Sequence, residues 1–230
     1  VTRIGEIETT FAMEAAAHAF AAAELNPFGE AEILELGDAR AVYCGAWSPV
    51  HGVLGLGLSG PVEERDLREI ERFYFKKERD PAFWITPETD PSLTALLAHE
   101  YHPVKSIPVH GAALNADLCL PEPNGSSQPD HHQWTIAFSL TLDPNAKEPG
   151  LLALTKLHQK ETRRYLAGGG NCASYTFFHR GIALVPAPST HTLLALQAHE
   201  ARQWKAEFLV TGAASPLPFL YERSLYVKKI

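Results

Sequence analysis

The segment Gly55-Leu56-Gly57-Leu58-Ser59-Gly60 spells GxGxxG between a predicted strand and a predicted helix. A dinucleotide fingerprint needs its glycines in the turn, where the backbone meets a pyrophosphate. Here Gly55 and Gly57 alternate with leucines inside the predicted strand Val53–Leu58, and Pro61 removes an N–H that a phosphate would use. No acidic residue ends the next strand about 20 residues on, so the pattern argues against a dinucleotide site. The histidines tempt a metal reading, at His131-His132 and at His99-Glu100-Tyr101-His102. Neither has the HExxH spacing that puts two imidazoles on one helical face, and no metal site is expected. Thr190 and His191 are adjacent, but no GxSxG elbow precedes them. His179, Glu207 and Glu222 are acid–base groups by type, and nothing in the sequence ranks them.

These residues must be held by regular elements. Ile4–Leu25 is rich in Ala and Glu and predicts a helix, ended by Asn26-Pro27. Ala31–Leu36 and Arg40–Ala46 read as two strands joined at Gly37-Asp38. Val62–Lys77 is an amphipathic helix with Leu67, Ile70, Phe73 and Tyr74 on its apolar face. Phe83–Thr86 reads as a strand, Pro91–Glu100 as a helix and Val104–Leu114 as a strand. Asn115–His132, rich in Pro, Asn, Gly, Ser and Asp, reads as a linker that leaves His131 and His132 solvated. Trp134–Leu142 alternates as a half-buried strand would. Leu151–Glu161 predicts a helix, and Arg164–Ala167 with Ala173–Phe178 a hairpin around Gly168–Asn171. Gly181–Val185 is a short apolar strand closed by Pro186 and Pro188. Thr190–Lys205 has a helical stripe, and Glu207–Thr211 is another short strand. Ser215 with Pro216 then predicts an N-cap and first helical turn, continued by Phe219, Leu220 and Arg223, before a last strand Leu225–Ile230.

The chain has 230 residues, 45% hydrophobic and 20% charged, the composition of an ordinary globular protein. A net charge of −7 argues against nucleic-acid and anionic-membrane partners and favours an amine-bearing one. No apolar run is long enough to span a membrane. Glu6, Glu8, Glu14 and His18 exclude a signal peptide at the Ala-rich N-terminus. Cys44, Cys119 and Cys172 are far apart and odd in number, which fits a reducing compartment, the cytoplasm.

Gly181–Val227 runs strand, helix, strand, helix, strand, and Gly55–Val104 has the same order, with Asp90-Pro91 where Ser215-Pro216 stands later. The later unit, ending in Leu220-Tyr221-Glu222-Arg223, resembles the C-terminal half of the GCN5-related N-acetyltransferase (GNAT) fold. GLGLSGPV, DLREIERFY and TDPSLTALLAHEYHPV resemble bacterial proteins that carry two GNAT-like domains. The resemblance implies an α/β chain of tandem mixed sheets flanked by helices. The expected division is residues 1–114, a linker 115–132 and residues 133–230.

It further implies acetyl-CoA or another acyl-CoA as co-substrate. In that family the strand before the long helix splays from its neighbour, and N–H groups at the helix start hold the pyrophosphate. Carried over, those positions are Leu184, Val185, Ser189, Thr190, His191, Thr192 and Ser215, and Tyr221 would protonate the leaving thiolate. The acceptor would be a small-molecule or protein amine attacking the thioester directly, in a monomer or homodimer. The family's Gln/Arg-x-x-Gly-x-Gly/Ala segment is replaced here by Pro186-Ala187-Pro188-Ser189-Thr190-His191-Thr192. That departure leaves a catalytically degenerate binding or regulatory protein as the alternative.

Overall fold

The computed structural model describes residues 3–45, 48, 50–115, 118, 120, 125–142, 149–168, 172–185, 190–212 and 215–229. The chain forms two compact units. The first comprises Val1–Ile107 and Tyr221–Ile230, the second Pro108–Leu220. This departs from the division expected along the chain, because a terminal strand belongs to the first unit. Moreover Leu118 and Leu120, from the expected linker, pack on a core cluster of the second unit.

In the first unit α1 (Ile4–Leu25) precedes β1 (Glu32–Leu36), β2 (Ala39–Tyr43) and β3 (His51–Leu54). Then come α2 (Glu64–Phe75), β4 (Ala82–Ile85), α3 (Pro91–Leu97) and β5 (Tyr101–Ala113), whose residues up to Ile107 lie in this unit. The unit is completed by Tyr221 onward of the last strand, Phe219–Lys228, labelled β11 in chain order. Its strand order is β1-β2-β3-β4-β11-β5. β1–β2, β2–β3 and β4–β11 pair antiparallel, and β3–β4 pair parallel. Four α2 side chains expected on its apolar face, Leu67, Ile70, Phe73 and Tyr74, are buried with Leu93 and Leu97 of α3 against Val53 and Phe83. Each such side chain contributes about 1.5–3 kcal/mol by burial. The Tyr74 hydroxyl donates to the Val42 carbonyl at 2.8 Å and accepts from the Gly52 N–H at 3.0 Å, so the aromatic carries no orphan polar atom. α1 packs on β1, β2 and β3 through small residues, with Ala12, Ala15, Ala16, Ala19 and Ala22 buried.

The second unit contains β6 (Ser126–Ser127), α4 (His131–Thr141), α5 (Pro149–His158), β7 (Thr162–Ala167) and β8 (Cys172–His179). β9 (Ile182–Val185), α6 (His191–Gln203) and β10 (Phe208–Thr211) follow. Its order is β5-β10-β9-β8-β7-β6, with β9–β10 parallel and β10–β5, β9–β8, β8–β7 and β7–β6 antiparallel. The pairing pattern of β7-β8-β9-β10-β5 therefore matches that of β1-β2-β3-β4-β11. α6 buries Leu194, Ala198 and Ala201 on Ala183, Val185 and Leu209. Among the described residues no helix is long and apolar enough to cross a membrane.

Three expectations are corrected. Trp134–Leu142 is the helix α4, not a strand. Trp134, Ala137 and Phe138 are buried at helical spacing, whereas the alternating Ile136 and Leu140 are 50% and 79% exposed. Asp130 caps this helix by accepting from the Gln133 N–H at 3.0 Å, so His131 and His132 open a helix and stay exposed. Second, Ser215 caps no helix. Its hydroxyl accepts from the Leu217 N–H at 3.2 Å in a turn, and Pro218 would interrupt a helix that the chain instead enters as β11. Third, β3 ends at Leu54, so Gly55, Gly57 and Gly60 lie in the turn. Their φ values of 78°, 80° and 140° are conformations glycine adopts freely.

Candidate functional site

The expected cofactor positions sort into three places. Leu184 and Val185 end β9, fully buried, and pair with Val210 and Thr211 of β10. The ladder runs to the last residue of both strands, so the described part of this pair does not part. Thr190 caps α6, its hydroxyl accepting from the Leu193 N–H at 3.2 Å. His191, exposed, and Thr192, half-buried, form the first turn, which carries no carboxylate. Ser189 lies outside the described residues, as does Cys119. Ser215 serves its local turn.

Tyr221 stands elsewhere. It lies on β11 in the first unit, not on a helix of the second. Its buried hydroxyl donates to Glu8 Oε1 of α1 at 2.7 Å. Burial raises the phenol well above the usual tyrosine range, and the adjacent Glu8 charge adds to this. A phenol so held is a poor proton donor near neutral pH. Beside it, Arg223 Nη2 lies 3.2 Å from Glu8 Oε2, with both side chains buried. The Arg223 guanidinium carbon is 4.2 Å from the Phe11 ring centroid and 4.3 Å from that of Trp84. This cluster was legible in one respect. Glu8 falls on the stripe of Ile7, Phe11, Ala12 and Ala15, where a lone carboxylate needs a partner.

Of the other acid–base groups, His179 is lowered by burial and then by the Arg180 charge. Glu222 is exposed on the opposite side of β11 from Tyr221, accepting from Ser106 at 3.1 Å. Glu207 lies at the Gly181 turn, where its N–H donates to the Gly181 carbonyl at 2.7 Å. Glu222 thus belongs with Tyr221 to the first unit, and His179 and Glu207 to the second.

The turn between β3 and α2 is the corresponding place in the first unit. It borders a cleft of about 430 Å³ lined by Asp38, Gly55, Gly57, Ser59, Gly60 and Asp66 among others. Its backbone donors are engaged from within. The Glu63 N–H donates to Asp66 Oδ2 at 3.0 Å, and the Val62 N–H to Ser92 Oγ at 2.8 Å. The Asp90 N–H donates to the Gly57 carbonyl at 2.8 Å, tying the turn to the start of α3. Asp90 in turn accepts from the Ser92 N–H, and its bonds to Ser92 hold its carboxyl below the usual range. With Glu64 and Asp66 in its first turn, α2 presents negative charge where an anion would dock. Among the described residues no group of three or more His, Cys, Asp or Glu is placed to hold a metal.

No family model matches the chain, and no curated protein does. Solved structures do. The chain is similar to a GCN5-related N-acetyltransferase from Kribbella flavida at 13% identity, over 93% of this chain and 96% of that one, with a TM-score of 0.58. It is also similar to a functionally unknown conserved protein from Staphylococcus epidermidis ATCC 12228. That match has 6% identity, covers 87% of this chain and 95% of the other, and has a TM-score of 0.53. At these identities the likeness shows the fold alone: a mixed α/β fold with a mixed sheet flanked by helices, consistent with a GNAT-like fold.

Proposed function

We propose that this chain is a tandem of two GNAT-like units working as a binding or regulatory protein without acyl transfer of its own. The observation that carries this reading is the engagement of Tyr221. The residue expected to protonate a leaving thiolate donates instead to a buried carboxylate in the first unit. Two further observations support it. The first unit's helix start is occupied by its own Asp66 and Ser92, and β9 and β10 stay paired through Val185 and Thr211. Fold alone does not carry the chemistry. The free thiol of the half-buried Cys172 fits a cytoplasmic setting.

The test is calorimetric titration of the full chain with acetyl-CoA, coupled to thiol release in the presence of primary amines. The expected result is a folded protein with no amine-dependent thiol release. Saturable micromolar binding together with such release overturns the proposal.

One observation favours a second reading, an acyl-CoA-dependent N-acyltransferase seated in the second unit. The first turn of α6 has no carboxylate, so the helix dipole there is open to an anion. In that reading Leu184, Val185, Ser189, Thr190, His191 and Thr192 hold acetyl-CoA, and a small-molecule or protein amine attacks the thioester. Tyr221 takes no part. Binding with thiol release, both weakened by Thr192→Glu, is its signature.

A further inference from the structure

Within the first unit, the surroundings of Arg223 are those of a cation receptor. Phe11 lies on one neighbouring element and Trp84 on another, each ring about 4 Å from the guanidinium carbon, at 4.2 and 4.3 Å. Glu8 places Oε2 3.2 Å from Nη2, and its other oxygen is fixed by the Tyr221 hydroxyl at 2.7 Å. Aromatic faces with a carboxylate beside them are the chemistry that recognises organic cations.

The cluster is poorly explained as a device for stability. Arg223 Nε and Nη2 have no hydrogen-bond partner of acceptable geometry, nor does Glu8 Oε2, although both side chains are at most 5% exposed. A buried ion pair with donors unspent is commonly no better than an apolar filling of the same volume. Strand alternation on β4 and β11 puts Trp84, Tyr221 and Arg223 on one side of the sheet. Phe83 and Tyr226 join the α2–α3 core on the other.

We propose that Glu8, Phe11, Trp84 and Tyr221 form a binding site for an alkylguanidinium ion, and that the chain's own Arg223 occupies it. While the Arg223 side chain is seated, the site is filled in cis; with β11 and Tyr221 in place, withdrawing that one side chain opens it to an external cation of the same class. This inference is independent of the function proposed above.

The test uses the full chain with Arg223→Ala, titrated with methylguanidinium and, separately, with methylurea, its neutral isostere. Tryptophan fluorescence and the melting temperature are the readouts. Methylguanidinium is expected to raise the melting temperature saturably and perturb the fluorescence, and methylurea to do neither. The wild-type chain and Arg223→Met, which fills the box with an apolar side chain, are expected to show no such response. Adding Glu8→Gln to Arg223→Ala is expected to abolish it. A folded Arg223→Ala chain indifferent to methylguanidinium, or equally responsive to methylurea, overturns the proposal. Should Arg223→Ala not fold, its refolding yield with each compound decides: no gain specific to methylguanidinium overturns it as well.

Discussion

The Tyr221 hydroxyl is the donor that fixes Glu8 Oε1, so its removal strands a buried carboxylate oxygen. Tyr221→Phe should therefore cost about 1–3 kcal/mol of stability, the penalty of an unsatisfied buried acceptor. Urea denaturation measures this, and a change within about 0.5 kcal/mol would place Tyr221 among ordinary surface positions. Histidines set a second expectation. Burial lowers His51 below its ordinary value of 6.5, against the opposing bond to Ser48, and burial lowers His179 from the same value. A base depressed in the folded state binds fewer protons there than when unfolded. Its contribution is thus complete above about pH 6.5 and is lost as pH falls toward the folded value. The chain should destabilise between pH 7 and pH 5, and replacing both residues by Gln should flatten that slope in a series of melts. An unchanged slope would assign the acid response to other groups.

At the scale of elements, α4 separates two readings of one segment. Were Trp134–Leu142 a half-buried strand, Leu140 would point inward with Trp134; in the helix Leu140 is 79% exposed and Trp134 is fully buried. Leu140→Lys should thus change stability by less than about 0.5 kcal/mol, and Trp134→Ala should cost about 3–5 kcal/mol. Equal large losses at both positions in equilibrium unfolding would restore the strand. The sequence carried both periods here, and Asp130, which sits one residue before the helix and bonds Gln133, was the signal that separated them. Elements with one clear period were legible: α2 and α6 from their stripes, β9 from a short apolar run between Gly181 and Pro186, and β10 from another short apolar run. In the GxGxxG turn leucines alternating with glycine imitate a strand, while the backbone takes positive φ at Gly55 and Gly57. Gly57→Ala tests that conformation. Its Cβ would meet Thr89 Cγ2 at 3.2 Å with φ held at 80°, and a loss of about 1–3 kcal/mol is expected from the strained backbone.

For the whole molecule, the feature hidden from the sequence is which unit a strand completes. Residues 221–230 follow the second unit along the chain, yet Ser224, Leu225, Tyr226 and Val227 pair with Ile85, Trp84, Phe83 and Ala82 in the first. Local periodicity reports burial and says nothing of partner, so chain order alone places Tyr221 with the second unit, whereas the fold groups it with the first. Ending the chain after Leu220 tests the consequence. It removes the strand between β4 and β5 and leaves Glu8 buried without Arg223. Breaking a buried ion pair alone costs about 3–5 kcal/mol, against about 5–15 kcal/mol for a typical domain. The first unit should open. In hydrogen exchange, amides of β4 and of Tyr101–Ile107 should lose protection, although the deleted residues lie more than a hundred positions away in sequence. Those of β7 and β8, paired within the second unit, should keep theirs. Undiminished protection at Phe83 and Trp84 in the shortened chain would show that the last strand is dispensable to the first unit, and with it the seat of Arg223.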